Sequence, residues 1–501
     1  MRLSHLQRFI RIGHRKKLTH PFPHVGQQQA TVRLNSNHHV WEVDAAYLSF
    51  SIDISVLAGG FWWEGSHGMQ RGLGTLRVPA LDLNSKKLDR MVQALGTSYL
   101  RVGGSEADKI HYFTSDEPNA EDLVLTRQMW DNLHAFIQRN NLKFSFTFKY
   151  GLFKRRLHGE WQGTEIQTLL QYSRECGYQI DVCELGNELN AYWAFHGLAS
   201  QPGPKKLAQD YATFTQLVRR YYPDIKICGP GSAFWPKLGE TIKPFSNLTK
   251  RFLETLSTEL DIVDWHYYPF QSDRSPIRTR AANVKNVLHA RSFEYFADYS
   301  TRLREWRDLY QPHAQLWTGE TGSAQCGGQP KISDRFASCF WWADQLGQGA
   351  VQGQRVMIRQ SLIGGDYGMI DRTSLKPRPD YWVSWLWVQL MGNEVYSLNS
   401  DNPDLRVYAH QSKTSSELWL MLINIANDTM KINLPQLSAP EEIYCVTAKK
   451  PTARKLKING VKPSFNKGNV SLDNFPQPEA SNELPPNSIN FWRVSIQQAV
   501  Q

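Results

Sequence analysis

Two glutamates each end an apolar run that reads as a β-strand: Glu188 in VCELGNELN (residues 182–190) and Glu320 in LWTGETGSA (316–324). Asn187 precedes the first, and a break at Gly186 delivers both polar side chains to a loop mouth. Alone, either glutamate has an ordinary use in a loop ion pair or beside a helix N-cap. Two carboxylates at one mouth are the minimum equipment for hydrolysing a glycosidic bond, one as proton donor and one as nucleophile or base. A retaining pair stands about 5–5.5 Å apart, and an inverting pair stands wider to admit a water. Aromatic residues fit the same chemistry, because sugar faces pack on rings. DWHYYPF (264–270) brings Trp265, His266, Tyr267 and Tyr268 to one strand end, and the chain holds 17 tryptophans. At least one of Trp265 and Tyr267 is expected in the core, which leaves Tyr268 as the tyrosine placed to hydrogen-bond a catalytic carboxylate.

Positioning these groups requires a scaffold that gathers strand ends. Short apolar runs alternate with amphipathic stretches in YLSFSID, SYLRVGG, KFSFTFKYG, DVCELGNE, IKICGPG, DIVDWHYYP, AQLWTGE and QRVMIRQSL, separated by helix-like segments such as LTRQMWDNLHAFIQRN and FEYFADYSTRLREWRDLY. The pattern predicts an α/β fold over residues 48–390, a (β/α)8 TIM barrel with its site at the C-terminal strand ends. A doubly wound open sheet is the alternative. Residues 391–501 change to strands spaced by Asn, Pro, Gly and Ser, which predicts a C-terminal β-sandwich domain. Residues 29–47 read as one more strand contributed to that sandwich, and residues 1–28 as a basic tail.

Bulk properties narrow the classes. The 501 residues carry 57 Lys and Arg against 47 Asp and Glu, a net charge of +10, which suits an acidic partner or simple solubility. No apolar run approaches the ~20 residues of a membrane span, and the N-terminus lacks the apolar core of a secretory signal. A cytoplasmic protein is the default, or an exported one if a leader is missing. The six cysteines show neither CxxC pairing nor zinc spacing and read as free thiols. With no HExxH, P-loop or strand-linked GxGxxG, neither a metal nor a nucleotide cofactor is expected. Nucleic-acid and membrane partners are not expected either, and a monomer is the expected state.

The ordered motifs YLRVGGSEADKI, CELGNELN, DWHYYP, LWTGETGSAQCGGQPKISDRFASCFWWADQLG, VMIRQSLIGGDYGMID and PRPDYWVSWLW together resemble glycoside hydrolase family 79, the heparanase and β-glucuronidase family. The resemblance runs from about residue 47 to 390, and LPPNSINFWRVSI resembles the last strands of that family's sandwich. It implies a cofactor-free retaining enzyme acting on β-linked glucuronic acid in glucuronides or heparan-sulfate-like glycans. Glu188 would be the acid/base, protonated at the start, and Glu320 the ionised nucleophile, which implies a bell-shaped rate profile on the acidic side of neutrality. Asn187 would hold the 2-hydroxyl, and Asp53 and Ser105 other hydroxyls. The uronate carboxylate would meet backbone N–H groups at Cys326 and Gly327 and the hydroxyl of Tyr381.

Leu189 stands where the family usually has proline, and Cys326 where glycine is commoner, a substitution that matters if that turn needs a positive φ. Residues 115–124 leave no room for an excised activation linker, which implies a single-chain enzyme. Lys154, Arg155 and Arg156 after strand three, with Arg274, Arg278 and Arg280 after strand six, are candidates to read an acidic chain or are ordinary solvated loops. TAKKPTARKLK (447–457) reads as a solvated face. A related β-glycosidase for neutral sugars and a non-catalytic glycan-binding protein are the alternative functions.

Overall fold

The computed structural model describes residues 28–69, 73–113, 123–152, 161–240, 247–465 and 468–497. The basic N-terminal segment and Lys154, Arg155 and Arg156 lie outside the described residues. Eight parallel strands, Leu48–Asp53, Tyr99–Gly103, Lys143–Phe148, Val182–Leu185, Lys226–Trp235, Ile262–Tyr267, Gln315–Thr321 and Val356–Arg359, pair in chain order. The eighth pairs with the first, so the ring closes as a (β/α)8 barrel. The strands fall on the eight apolar runs read from the sequence. Helices cover the outside, as in Arg127–Arg139, where Trp130, Leu133, Phe136 and Ile137 recur at helical spacing and face the barrel. Thr126 caps that helix by accepting from Met129 N at 3.2 Å.

Inside the barrel, strand alternation stacks side chains in layers. Tyr99, Val182, Cys228, Ile262, Trp317 and Val356 form an apolar plug. One step further along the strands the inward residues turn polar: Arg101, Thr147, Glu184 and Asp264 are all buried. The next step brings His266 and Glu320. Strand seven reaches that level through a bulge, because Trp265 pairs with Thr318 but His266 pairs with Glu320. Gly319 is the extra residue, and it turns Glu320 inward. A Cβ on Gly319 would lie 2.1 Å from an Asp264 carboxylate oxygen, so the bulge requires glycine.

The C-terminal module is one nine-stranded mixed sheet. Gln28–Glu42 enters it from the other end of the chain, antiparallel to Met391–Ser400 and parallel to Met430–Asn433. Met430 and Ile432 share a buried cluster with Leu418, Leu420 and Trp492, which lie several strands away, so the sheet curls and packs on itself in sandwich fashion. The alternate residues Trp419, Met421 and Ile423 join the barrel's own core. One strand, Leu418–Asn424, is therefore apolar on both faces, which accounts for its uninterrupted LWLMLI. Helix Ala337–Val351 lies in this seam, where Asp344 accepts from Arg406 Nε and Tyr408 Oη, both at 2.6 Å. All six cysteines are free thiols.

Candidate active site

The fourth strand ends at Leu185, and Gly186, at φ 77°, turns the chain across the barrel mouth. Glu188 follows at φ 52°, a left-handed conformation that costs a non-glycine residue about 1–2 kcal/mol. Its N–H donates to Gly231 O at 3.0 Å, which helps to hold that conformation. Such strain concentrates where a side chain must be aimed. The Asn187 N–H donates to Asp108 Oδ2 at 3.0 Å, so the two consecutive polar residues are pinned from opposite sides.

Glu188, His266 and Glu320 bring one polar atom each to within 4.8 Å of the others. Glu320 accepts from Tyr268 Oη at 2.5 Å through Oε1 and from Arg101 Nη1 at 2.8 Å through Oε2. The other Arg101 nitrogen, Nη2, donates to Glu184 Oε2 at 3.0 Å and to Asn187 Oδ1 at 2.9 Å. One buried guanidinium thus fixes Glu320, the residue that precedes Glu188, and a carboxylate of the layer below. His266 Nδ1 lies 3.3 Å from Glu188 Oε1, and Nε2 lies 3.6 Å from Asp264 Oδ2.

Charge balance follows from these distances. Burial works to lower the His266 pKa, but the charge of Glu320 and hydrogen bonds with Asp264 and Glu188 outweigh it and carry the group up to about 10. Burial raises the Glu188 pKa, and the nearby Glu320 charge adds to that, against the lowering effect of His266. Glu184 is pushed up to about 7, chiefly by burial, and Asp53 to about 8 for the same reason. The carboxylates of Glu188 and Glu320, and those of Glu184 and Asp264 beneath them, already have Arg101 and His266 as their cations, which leaves little demand for a metal ion there.

The mouth opens into a cleft of about 310 Å³, a size that suits a small ligand. Glu188 and Glu320 sit in its wall with Asp53, Ser105, Tyr268, Cys326 and Gly327, all expected from the sequence. Asp53 also caps the short helix Ile54–Ala58 by accepting from Ser55 N at 2.9 Å. Trp62, Trp63, Trp193, Trp235 and Phe195 supply apolar faces. Trp265 and Tyr267 are both core residues. The turn after strand seven does need positive φ: Cys326 takes 59°, followed by Gly327 at 76° and Gly328 at 88°. Gly327 passes so close to Trp63 that a Cβ would sit 2.1 Å from that residue's own Cβ. Among the described residues, no carbonyl accepts from the backbone N–H of Cys326 or Gly327. Burial pushes the Cys326 thiol up to about 12, so it is no reactive thiolate.

Two expectations are corrected. Tyr381 is fully buried, and its hydroxyl donates to Met91 O at 2.7 Å. It lies inside helix Pro379–Leu390 on the barrel's outer surface, facing a neighbouring helix rather than the cleft. After strand eight it is Tyr367 that lines the cleft, and its hydroxyl accepts from Gln360 Nε2 at 3.2 Å. Arg274 does not face the cleft as a free cation. It donates to Ser66 O at 2.7 Å, to Cys326 O at 3.2 Å, to Gly328 O at 2.9 Å and to Asp366 Oδ2 at 2.7 Å, bracing the positive-φ turn. Arg280 is likewise buried over Tyr295, and Arg278 is paired with Asp273.

Arg101, Glu184 and Asp264 were missed by sequence reasoning, as was any role for His266. Each is a charged or titratable residue inside a strand otherwise apolar, and period-two alternation from the plug residues Tyr99, Val182 and Ile262 would have placed them inward.

The sequence model of glycosyl hydrolase family 79, N-terminal domain, matches residues 29–347. Heparanase-like protein 1 of Arabidopsis thaliana is 26% identical, over 80% of this chain and 74% of its own. Hyaluronoglucuronidase of Hirudo nipponia is 25% identical, over 83% of this chain and 90% of its own. Among solved structures, a 4-O-α-L-rhamnosyl-β-D-glucuronidase from Fusarium oxysporum superposes with a TM-score of 0.65 at 14% identity, covering 93% of this chain and 100% of its own, a likeness of fold.

Proposed function

Because the chain belongs to glycosyl hydrolase family 79 and is a glycoside hydrolase of the heparanase type, we propose that it cleaves β-linked glucuronic acid from glycans with retention of configuration. The observation that carries this reading is the approach of the two carboxylates, whose nearest oxygens lie within 4.8 Å. So close an approach supports the narrow retaining pair, with carboxyl groups ~5–5.5 Å apart, over the wider inverting pair of ~6.5–9.5 Å.

In the first step the Glu320 carboxylate attacks the anomeric carbon while Glu188 gives its proton to the departing glycosidic oxygen. The glycosidic bond breaks as the ester to Glu320 forms. In the second step the Glu188 carboxylate takes a proton from a water that attacks the same carbon and frees Glu320. Tyr268 and Arg101 aim the nucleophile. Arg101 also holds Asn187 through its carbonyl oxygen, which leaves the amide nitrogen for the sugar 2-hydroxyl. Asp53 and Ser105 take other hydroxyls.

For the uronate carboxylate, the Cys326 and Gly327 N–H groups, which no carbonyl of the described residues engages, and the Tyr367 hydroxyl, all from residues that line the cleft, would serve as neutral donors. Neutral donors can bind an anion without placing a full cation beside the two catalytic acids. Names of relatives that include heparanase and hyaluronoglucuronidase support a glucuronide-containing glycan as substrate. The test compares the purified protein and its Glu320→Ala variant on an aryl β-glucuronide and the matching aryl β-glucoside. Hydrolysis of the glucuronide, lost in the variant and weak on the glucoside, is expected. Equal turnover of both sugars, or full activity in the variant, would overturn the assignment.

A further inference from the structure

The loop after strand eight serves two pockets. One is the catalytic cleft, lined by Tyr367; the other is a separate groove of about 630 Å³, lined by Asp371, Lys376 and Arg378 of the same loop, and the two share no lining residue. The groove's other walls come from helix Lys86–Gln93, from Asp334, Arg335 and Trp382 of the barrel, and from residues 454–456 and 462–465 of the C-terminal sheet module. Arg454 and Lys455 of the basic run 447–457, which reads in the sequence as a solvated face, therefore share the groove with cations of the barrel.

Lys87, Arg90, Lys376, Arg454, Lys455 and Lys462 are exposed and converge here. Among the described residues, none of the six has a carboxylate within ion-pair distance, and Lys87 donates only to a carbonyl, Ser374 O, at 2.9 Å. The groove's two acids are already taken, Asp334 by Arg335 and Asp371 by Arg378 at 3.2 Å. Six like charges drawn from three separate elements repel one another, and nothing within the groove offsets that repulsion. Such a field attracts a polyanion.

The groove's aromatic rings discriminate between kinds of polyanion. Trp382 is buried, and its ring stacks on Phe465 at 5.3 Å and 25°, so its face is already covered by another ring. Single-stranded nucleic acid binds on open aromatic platforms. A groove rich in cations and closed to stacking favours a chain that carries charge without bases.

We propose that this groove is a second binding site, distinct from the catalytic cleft, for an acidic polysaccharide chain. The identity of the polymer rests on the glucuronide reading above. Arg378 connects the two pockets: its Nη1 donates to Gly365 O at 2.7 Å and to Asp366 O and Gly368 O, both at 3.0 Å. Those carbonyls flank Tyr367, so a polymer held in the groove lies against the outer side of the loop that forms the cleft wall. Small aryl glycosides are too short to use the groove, and long chains gain from it.

The test is the triple variant Lys376→Glu/Lys455→Glu/Lys462→Glu, all at exposed positions outside the catalytic machinery. Fluorescence anisotropy in the Glu188→Gln background, which leaves the chain uncut, measures binding of size-fractionated heparan sulfate. Affinity about tenfold weaker than the parent, the combined effect of three exposed ion-pair contacts, is expected together with a shallower salt dependence. With Glu188 intact, the triple variant should keep its kcat/KM on an aryl β-glucuronide. Unchanged heparan sulfate affinity would overturn the proposal, as would a single-stranded oligonucleotide that binds the parent as tightly as the glycan and loses as much in the variant. If the parent fails to hydrolyse aryl glucuronides, the catalytic reading falls, while the binding comparison still decides the groove.

Discussion

Removing one hydroxyl from the cleft wall tests where the uronate carboxylate is held. The Tyr367 hydroxyl accepts from Gln360 Nε2 at 3.2 Å, which leaves its own proton free for an acceptor in the cleft. A hydrogen bond to a charged group contributes about 1.5–3 kcal/mol, and each 1.4 kcal/mol is a factor of ten. Tyr367→Phe should therefore lower kcat/KM for an aryl β-glucuronide about 10- to 150-fold. The matching glucoside carries no charge at that position and should lose less than about tenfold, the effect of a neutral hydrogen bond. Any disturbance of Gln360 acts on both substrates and cancels in their ratio. Tyr381→Phe is the control, because its hydroxyl serves Met91 O in the core. That variant should lose about 1 kcal/mol of stability, read as a lower Tm, and keep the substrate ratio. The assay is the ratio of kcat/KM on nitrophenyl glucuronide and glucoside. An unchanged ratio in Tyr367→Phe, or a collapsed ratio in Tyr381→Phe, would refute the reasoning.

Two further predictions concern protons. Burial raises the Glu188 pKa above its ordinary 4.5, and the protonated form is the donor, so activity is kept below the raised value and lost as pH rises through it. The alkaline limb of kcat/KM should lie above pH 4.5 and vanish in Glu188→Gln on a leaving group that needs no proton; a limb that persists in the variant would contradict the role. Asp53 has its pKa raised from 3.8 to about 8, so its contribution to stability is complete below pH 3.8 and is lost as pH rises through about 8. Asp53→Asn keeps the helix cap but not the charge, so its Tm relative to the parent should climb between those limits while hydrolysis weakens. A constant Tm difference across that range would argue against a buried, uncompensated carboxylate.

Much of the scaffold was legible because each barrel strand, buried on both faces, is a short apolar run bounded by turns. Glu188 and Glu320 were legible as polar ends of such runs. The inward aim of Glu320 was not, since it depends on the bulge at Gly319, and a bulge shifts alternation by one residue. Arg101 was hidden for a different reason: its partners Glu184, Asn187 and Glu320 come from two other strands, and only closure of the ring brings them together. Tyr381 was misassigned because two tyrosines follow strand eight, and the sequence does not say which precedes the helix and which lies within it. Arg274 and its neighbours read as free cations because the carbonyls and carboxylates that bind them are distant in the chain. The same blindness concealed the groove, whose six cations come from three segments.

The central claim is that Glu188 and Glu320 act as a retaining pair on a β-linked glucuronide. Proton NMR of the first sugar released from an aryl β-glucuronide, before mutarotation, tests it directly. The account predicts β-glucuronic acid as the initial product, with the α-anomer growing in later. Initial release of the α-anomer would mean a single displacement by water and would contradict the role given to Glu320.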